Sequence, residues 1–198
     1  MLELVLIRHG ETASNIKGTH LGTTDVPLNE RGKRQARALQ RVFAKEEVSA
    51  VYTSPLSRAK DTAEAIAKKH DTFVEPVMDL IERNYGIWED MTIDEIRDKY
   101  PEEHAQWQKD WIHYVIPQGE SAMDVYNRNV SAVQELLKVH TEGRIIVVTH
   151  MGCIRNILSY LFHMNVEDGW HFRARNAGIC RLELDDYGFA TMHSFNEI

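Results

Sequence analysis

Leu2-Glu3-Leu4-Val5-Leu6-Ile7-Arg8-His9-Gly10-Glu11-Thr12 is the stretch on which the reading of this chain turns. Its apolar run is broken by one charge and shows no strict alternation, which fits a strand covered on both faces better than one with a wet face. The run stops abruptly at Arg8-His9-Gly10, as a strand does on entering a polar loop. Sheets covered on both faces have helices on either side, so the expectation is an α/β protein whose strand-end loops carry the chemistry.

Working outward, strand-like and helix-like segments alternate. His20 to Pro27 reads as a loop, and Asn29 is placed to cap a helix from Glu30 or Arg31 with Ala36, Leu39 and Phe43 on its apolar face. Val48 to Thr53 is strand-like and ends at Ser54-Pro55, after which Ala59, Ala63 and Ile66 recur at helical spacing. Phe73 to Val77 is a third strand that Pro76 confines to an edge. Ser121 and Asp124 approximate a capping box before a helix whose face is read as Tyr126, Val130, Val133 and Leu137. Glu142-Gly143 ends that helix, and Arg144 to Thr149 is a buried strand followed at once by His150. A helix with Ile154, Ile157, Leu158 and Leu161 is expected just past Gly152. Gly178 to Leu184 and Phe189 to Phe195 read as strands around the turn-prone Asp185-Asp186-Tyr187-Gly188. The 84–119 region has weaker periodicity and contains Trp88, Trp107 and Trp111. It reads as an inserted lid with short helices at Ile93 to Ile96 and His104 to Trp111. The order predicts a three-layer α/β/α sandwich with a mostly parallel central sheet, room for an antiparallel edge, and one domain over 1–198.

Composition bounds the function. A chain of 198 residues, 43% of them hydrophobic, suits one sizeable core. With 23 Lys and Arg against 30 Asp and Glu, the net charge of −7 argues against nucleic acid or an anionic membrane as partner. Cys153 and Cys180 supply neither a disulfide framework nor a metal-ligand set. No basic segment followed by an apolar signal-like run opens the chain, and charges interrupt every candidate span. A cytoplasmic protein is expected.

The strand ends deliver Arg8 and His9, then Ser54 and Arg58, then His150. Two arginines offer forked donors to phosphate oxygens, helped by backbone N–H groups near Gly10, without any metal. A neutral His9 has a ring nitrogen able to attack phosphorus, and His150 can stabilise a nonbridging oxygen. Glu82, after a strand-like run and before Gly86, is the best carboxyl to protonate a leaving alkoxide and then to activate water; Glu11 competes. Asn15 either donates to phosphate or caps its own loop, whereas Ser54 and Thr62 read as turn and packing residues. Tyr85, Trp88 and Trp111 form a substrate wall or a lid core. No H-E-x-x-H set and no glycine-rich nucleotide fingerprint occurs, so neither a metal nor a cofactor is expected.

Arg8-His9-Gly10-Glu11-Thr12 resembles the signature of the histidine phosphatase superfamily, which includes cofactor-dependent phosphoglycerate mutases and related phosphatases. The resemblance runs through Asn15, Gly22, Asp25-Val26-Pro27-Leu28, Gly32, Ser54-Pro55-Leu56-Ser57-Arg58-Ala59, Thr62-Ala63, Glu82, Gly86, Trp88-Glu89 and Val147-Val148-Thr149-His150. It implies a phosphoglycerate mutase-like fold, His9 as transient phosphohistidine, Glu82 as proton donor, and Arg8, Arg58 and His150 as the phosphate pocket with Asn15 in contact. Met151 departs from the pattern, since many relatives have glycine directly after the second histidine. Glu82-Arg83-Asn84-Tyr85-Gly86 resembles the mutase stretch, with Tyr85 placed to recognise a small acid. The short chain, Pro27-Leu28, Trp88-Glu89 and the missing arginine pair in the insertion resemble phosphatases more. The resulting expectation is hydrolysis of a small phosphorylated metabolite. A cofactor-dependent phosphoglycerate mutase and a noncatalytic phosphate-sensing or protein-interaction domain are the alternatives. The substrate is open, and the aromatic 84–119 face allows a homodimer.

Overall fold

The opening strand is dry on both faces: Leu2, Leu4 and Leu6 enter one apolar cluster, Val5 and Ile7 another. Each fully buried aliphatic side chain of this kind contributes roughly 1.5–3 kcal/mol. The structure, a computed structural model, describes residues 1–197. Along it run β1 (Leu2–Arg8), α1 (Ala13–Lys17), α2 (Glu30–Phe43), β2 (Ala50–Thr53), α3 (Ser57–Ala67), β3 (Val74–Pro76) and α4 (Ile93–Lys99). They are followed by α5 (Pro101–Lys109), α6 (Ala122–Val139), β4 (Gly143–Thr149), α7 (Met151–Leu161), β5 (Ile179–Leu184) and β6 (Ala190–Glu197).

The strands form one six-stranded sheet in the order β3-β2-β4-β1-β5-β6. The first four are mutually parallel, while β5 and β6 add an antiparallel edge, and Pro76 sits in the outermost strand as its missing N–H requires. Leu39 and Phe43 of α2 and Ala59, Ala63 and Ile66 of α3 cover one face. Ala132, Val133 and Leu136 of α6 and Ile154, Ile157 and Leu158 of α7 cover the other, which makes the expected α/β/α sandwich.

Register then brings the strand ends together. Arg8 lies opposite Thr149 and Thr53 opposite Val148. His9 N donates to Thr149 O and Ser54 N to Val148 O, both at 3.0 Å, so His9, Ser54 and His150 leave the sheet side by side.

Several local expectations need correction. The buried face of α6 is Val125, Asn129, Ala132, Val133 and Leu136, and only Val133 belongs to the stripe read from the sequence. Asn129 earns its buried place by donating to Asp79 O at 2.6 Å and accepting from Asn156 at 2.9 Å, a polar seam that apolar periodicity does not register. Helix α7 begins at Met151, two positions before the expected start, with His150 as its N-cap residue. The second lid helix runs Pro101–Lys109, because proline is well suited to a first turn, and stops before Trp111. Helix α1 was not anticipated; it is held by reciprocal Thr12 and Asn15 hydrogen bonds. The 84–119 stretch has its own small apolar cluster of Trp88, Ile96 and Ile116. Among the described residues no helix is long and apolar enough to cross a membrane.

Candidate active site

At the carboxyl end of β1, His9 is only 3% exposed, and its Nδ1 lies 2.7 Å from Gly10 O. A carbonyl only accepts, so Nδ1 carries the proton and Nε2 keeps its lone pair. Burial first, then the neighbouring Arg8 and Arg58 charges, hold the imidazole well below its ordinary pKa despite the Gly10 bond. His9 is therefore neutral at physiological pH, as an attacking nitrogen must be.

His150 faces it with ring centroids 5.1 Å apart. Its Nε2 lies 2.7 Å from Ser54 Oγ, while its Nδ1 is buried without a partner. Burial and then Arg58, His9, Arg8 and Arg128 also hold this ring well below the usual histidine range.

Two arginines flank the pair. Arg8 Nη1 donates to Ala174 O at 2.9 Å, and its Nε has no partner; burial, opposed by Glu82, pulls the guanidinium down to about 10, so it stays charged at neutral pH. Arg58 is fully buried in the first turn of α3 and donates to Thr24 O at 2.9 Å and Gly22 O at 2.6 Å, again with Nε unpartnered. The loop it grips is itself tied down. Asp25 accepts from Ser57 N and Oγ at the start of α3, and Glu89 accepts from the N–H groups of Gly22, Thr23 and Thr24 and from Tyr85 N.

Three buried nitrogens on residues that neighbour or act electrostatically on His9, Arg8 Nε, Arg58 Nε and His150 Nδ1, have no protein partner. Leaving such groups unpaired is costly, on the order of 1–3 kcal/mol each and more when charged.

Glu82, 8% exposed, accepts from Arg83 N at 3.0 Å and from Gly152 N at 3.2 Å. The second donor belongs to the first turn of α7. Gly152 has a steric reason: a Cβ there would come 2.5 Å from Glu82 Oε1.

Arg8, His9, Asn15, Glu82 and Tyr85 all line one cavity of about 340 Å³. Arg58 and His150 are not on its wall; they are buried beside His9, with which both interact electrostatically. Asn15 takes the loop-capping role: its Oδ1 accepts from Thr12 N and Asn176 Nδ2, and its amide nitrogen donates to no described residue. Met151 lines the cavity from the first position of α7, with Sδ 3.9 Å from Arg8 Nη1.

Other expectations fail here. Gly10 N is no open donor, since it donates to Thr62 Oγ1 at 3.1 Å, and that hydroxyl donates in turn to Arg58 O at 2.7 Å. Thr62 and Ser54 are thus parts of the site's scaffold and not only packing residues. Glu11 turns away to Asn29 and Arg31, and Trp88 is enclosed in the lid cluster, whereas Tyr85 and Trp111 do reach the cavity. Residues not anticipated on its wall are His20, Arg83, Arg155 and Trp170. Arg155 had a readable signal, being one helical turn after Met151; Trp170 had none.

Among the described residues no cluster of His, Cys, Asp and Glu forms a metal-ligand set. A family model for the histidine phosphatase superfamily (branch 1) matches residues 4–197. The chain is 32% identical over 186 residues to phosphoserine phosphatase 1 of Hydrogenobacter thermophilus, covering 94% of this chain and 88% of that protein. The crystal structure of the alpha-ribazole phosphatase from Shigella flexneri matches with a TM-score of 0.92 at 29% identity, over 98% of this chain and 96% of that one. A phosphoserine phosphatase mutant from Entamoeba histolytica, in complex with phosphoserine, matches with a TM-score of 0.85 at 27% identity, over 100% and 98% of the two chains.

Proposed function

The chain belongs to the histidine phosphatase superfamily, and from that premise we propose that it hydrolyses phosphomonoesters of small metabolites through a phosphohistidine at His9. The observation that carries the reading is the set of three unpartnered buried nitrogens on residues that neighbour or act on a neutral imidazole. Arg8, Arg58 and His150 hold the nonbridging oxygens, and His9 Nε2 attacks phosphorus as the bond to the leaving oxygen breaks. Positive charge that develops on the ring is relieved by the Nδ1–H bond to Gly10 O. Glu82 gives its proton to the departing alkoxide, then takes one from the water that attacks phospho-His9, and inorganic phosphate leaves. The arginines neutralise the phosphoryl charge, so this mechanism asks for no metal ion. Residues 84–119 act as the cover of a single domain, contributing Tyr85 and Trp111 to the leaving-group side.

Hydrolysis is favoured over mutase chemistry by the insertion itself. Its one arginine, Arg97, points to Asp94 on the exposed side of α4, so it offers no paired cations to retain and reorient a released monophosphate. Rapid-quench trapping with a labelled phosphomonoester tests the proposal. Wild type is expected to carry acid-labile label and then release phosphate, with turnover in His9→Ala down by about 10³-fold or more. Full turnover in His9→Ala would overturn the nucleophile. Transfer back to phosphoglycerate without net release would favour the mutase, and binding without any transfer the sensing domain.

A further inference from the structure

Resting on the hydrolase reading, we propose that the alcohol released by this enzyme carries a carboxylate and that Arg155 is the residue that reads it. The first argument is position. Met151, Gly152, Arg155 and Asn156 form one face of α7 on the cavity wall. Gly152 marks the reacting end, because its N–H holds Glu82. Arg155 stands one turn further on, about 5 Å along the helix axis. A group a few bonds beyond the ester oxygen therefore comes beside it.

The second argument is presentation. Arg155 Nε donates to Phe172 O at 2.8 Å, and its guanidinium carbon lies 4.4 Å from the centre of the Trp170 ring. Trp170 in turn meets Trp111 edge-on at 5.7 Å, so the platform is shared between the lid and the turn after α7. Neither Nη nitrogen donates to any acceptor among the described residues, whereas the fork's plane is fixed from one side. A preoriented planar fork with free outer N–H groups matches a planar carboxylate.

The third argument is charge. The cavity wall carries Arg8, Arg83 and Arg155 against the one carboxylate of Glu82. Neither these three nor Arg58 forms an ion pair among the described residues. Arg83 is buried and Arg8 and Arg155 are half-buried, and cations drawn partly out of water favour anionic partners. A phosphoryl dianion matches Arg8 and Arg58, so Arg83 and Arg155 are left facing the leaving group with Glu82 as the one carboxylate on the wall. Arg83 already gives Nε and Nη2 to the carbonyls of Glu120 and Tyr114, which leaves Arg155 as the free fork. The wall also carries the apolar Ala122, Val125 and Val166.

Matched ester pairs test this: O-phosphoserine against O-phosphoethanolamine, and 3-phosphoglycerate against glycerol 3-phosphate. Wild type is expected to prefer the carboxylate member by about tenfold or more in kcat/KM, the scale of a charge-assisted hydrogen bond. In Arg155→Met the ratio should fall to about one, and in Arg155→Lys, which keeps charge but not the fork, to an intermediate value. General loss of activity cancels in the ratio. Should Arg155→Met not fold, Trp170→Leu removes only the platform and should still lower the ratio. A wild-type ratio near one, or a ratio untouched by both Arg155→Met and Trp170→Leu, overturns the inference. Calorimetric Kd values for the same pairs separate the two layers of argument: preference in binding without turnover sinks the hydrolase reading and keeps this one, while equal binding sinks this one whatever the turnover.

Discussion

At the start of β1, Arg144 bonds Glu3 at 2.7 Å and Glu46 at 3.0 Å, while Arg181 bonds Glu3, Glu46 and Glu197 at 2.8, 3.0 and 3.0 Å. At its other end Arg8 and Arg58, more deeply buried than Arg181, meet backbone carbonyls and, for Arg8, the Met151 sulfur, but no carboxylate, and keep an unpartnered Nε each. The two ends show up oppositely in proton affinity. Burial pulls Arg8 and Arg58 down, whereas hydrogen bonds to Glu46 and Glu3 outweigh burial at Arg181 and push it up. One end of the sheet spends its cations on holding strands and loops together. The other leaves them without an anionic partner among the described residues.

Removing an arginine from each end should therefore give opposite phenotypes. Arg58→Met is expected to lower kcat/KM by about 10²–10³-fold, the scale of one lost oxyanion donor, and to abolish stabilisation by inorganic phosphate. Its loss of stability should be smaller than its complete burial suggests, because an uncompensated charge is removed together with two hydrogen bonds. Steady-state kinetics and thermal melts with and without phosphate check both halves. Normal activity in Arg58→Met would break the contrast.

Next in size, Arg181→Met should cost about 2 kcal/mol of stability, less than a fully buried pair, or a fall in Tm of roughly 4–8 °C for a chain of this length. Its turnover and phosphate response should match wild type. A melt unchanged from wild type would mean that the network is solvated decoration.

The effect of single-residue size is in acid, where each histidine contributes separately. His9 and His150 have folded pKa values below the unfolded value, so the unfolded chain takes up protons first as pH falls. Their contribution is present above about pH 6.5 and is lost below it, at up to about 1.4 kcal/mol per histidine per pH unit. His20 and His104 shift in the same direction. Denaturant midpoints between pH 7.5 and 5.5 should fall in wild type and in Arg181→Met alike, and less steeply in His150→Gln. An equal slope in His150→Gln would remove His150 from the account.

Features with a local cause were legible in the sequence. The largely apolar runs of β1 and β4, the Asn29 cap, and the Ala59, Ala63 and Ile66 spacing all mark elements because each acts within a few residues of itself. The main site side chains were legible as well, since they follow strand ends that parallel pairing must align. What stayed hidden depends on approach between segments distant in the chain. Asn129 is core only because Asp79 and Asn156 meet it, and Ser54 joins the site only because His150 arrives beside it. Glu89 was legible as part of a motif, but its binding to three successive loop N–H groups appears only once the loop is folded over it. Arg155 needed a partner surface from Trp170, which no spacing connects to it.

At position 152 the carboxyl of Glu82 already fills the space a side chain would need, at 2.5 Å from where the first carbon would lie. What a methyl there would meet is the mobile tip of an acidic side chain and not backbone, so it would displace that tip while leaving the helix in place. The missing atom is thus what lets the carboxyl rest against the helix turn.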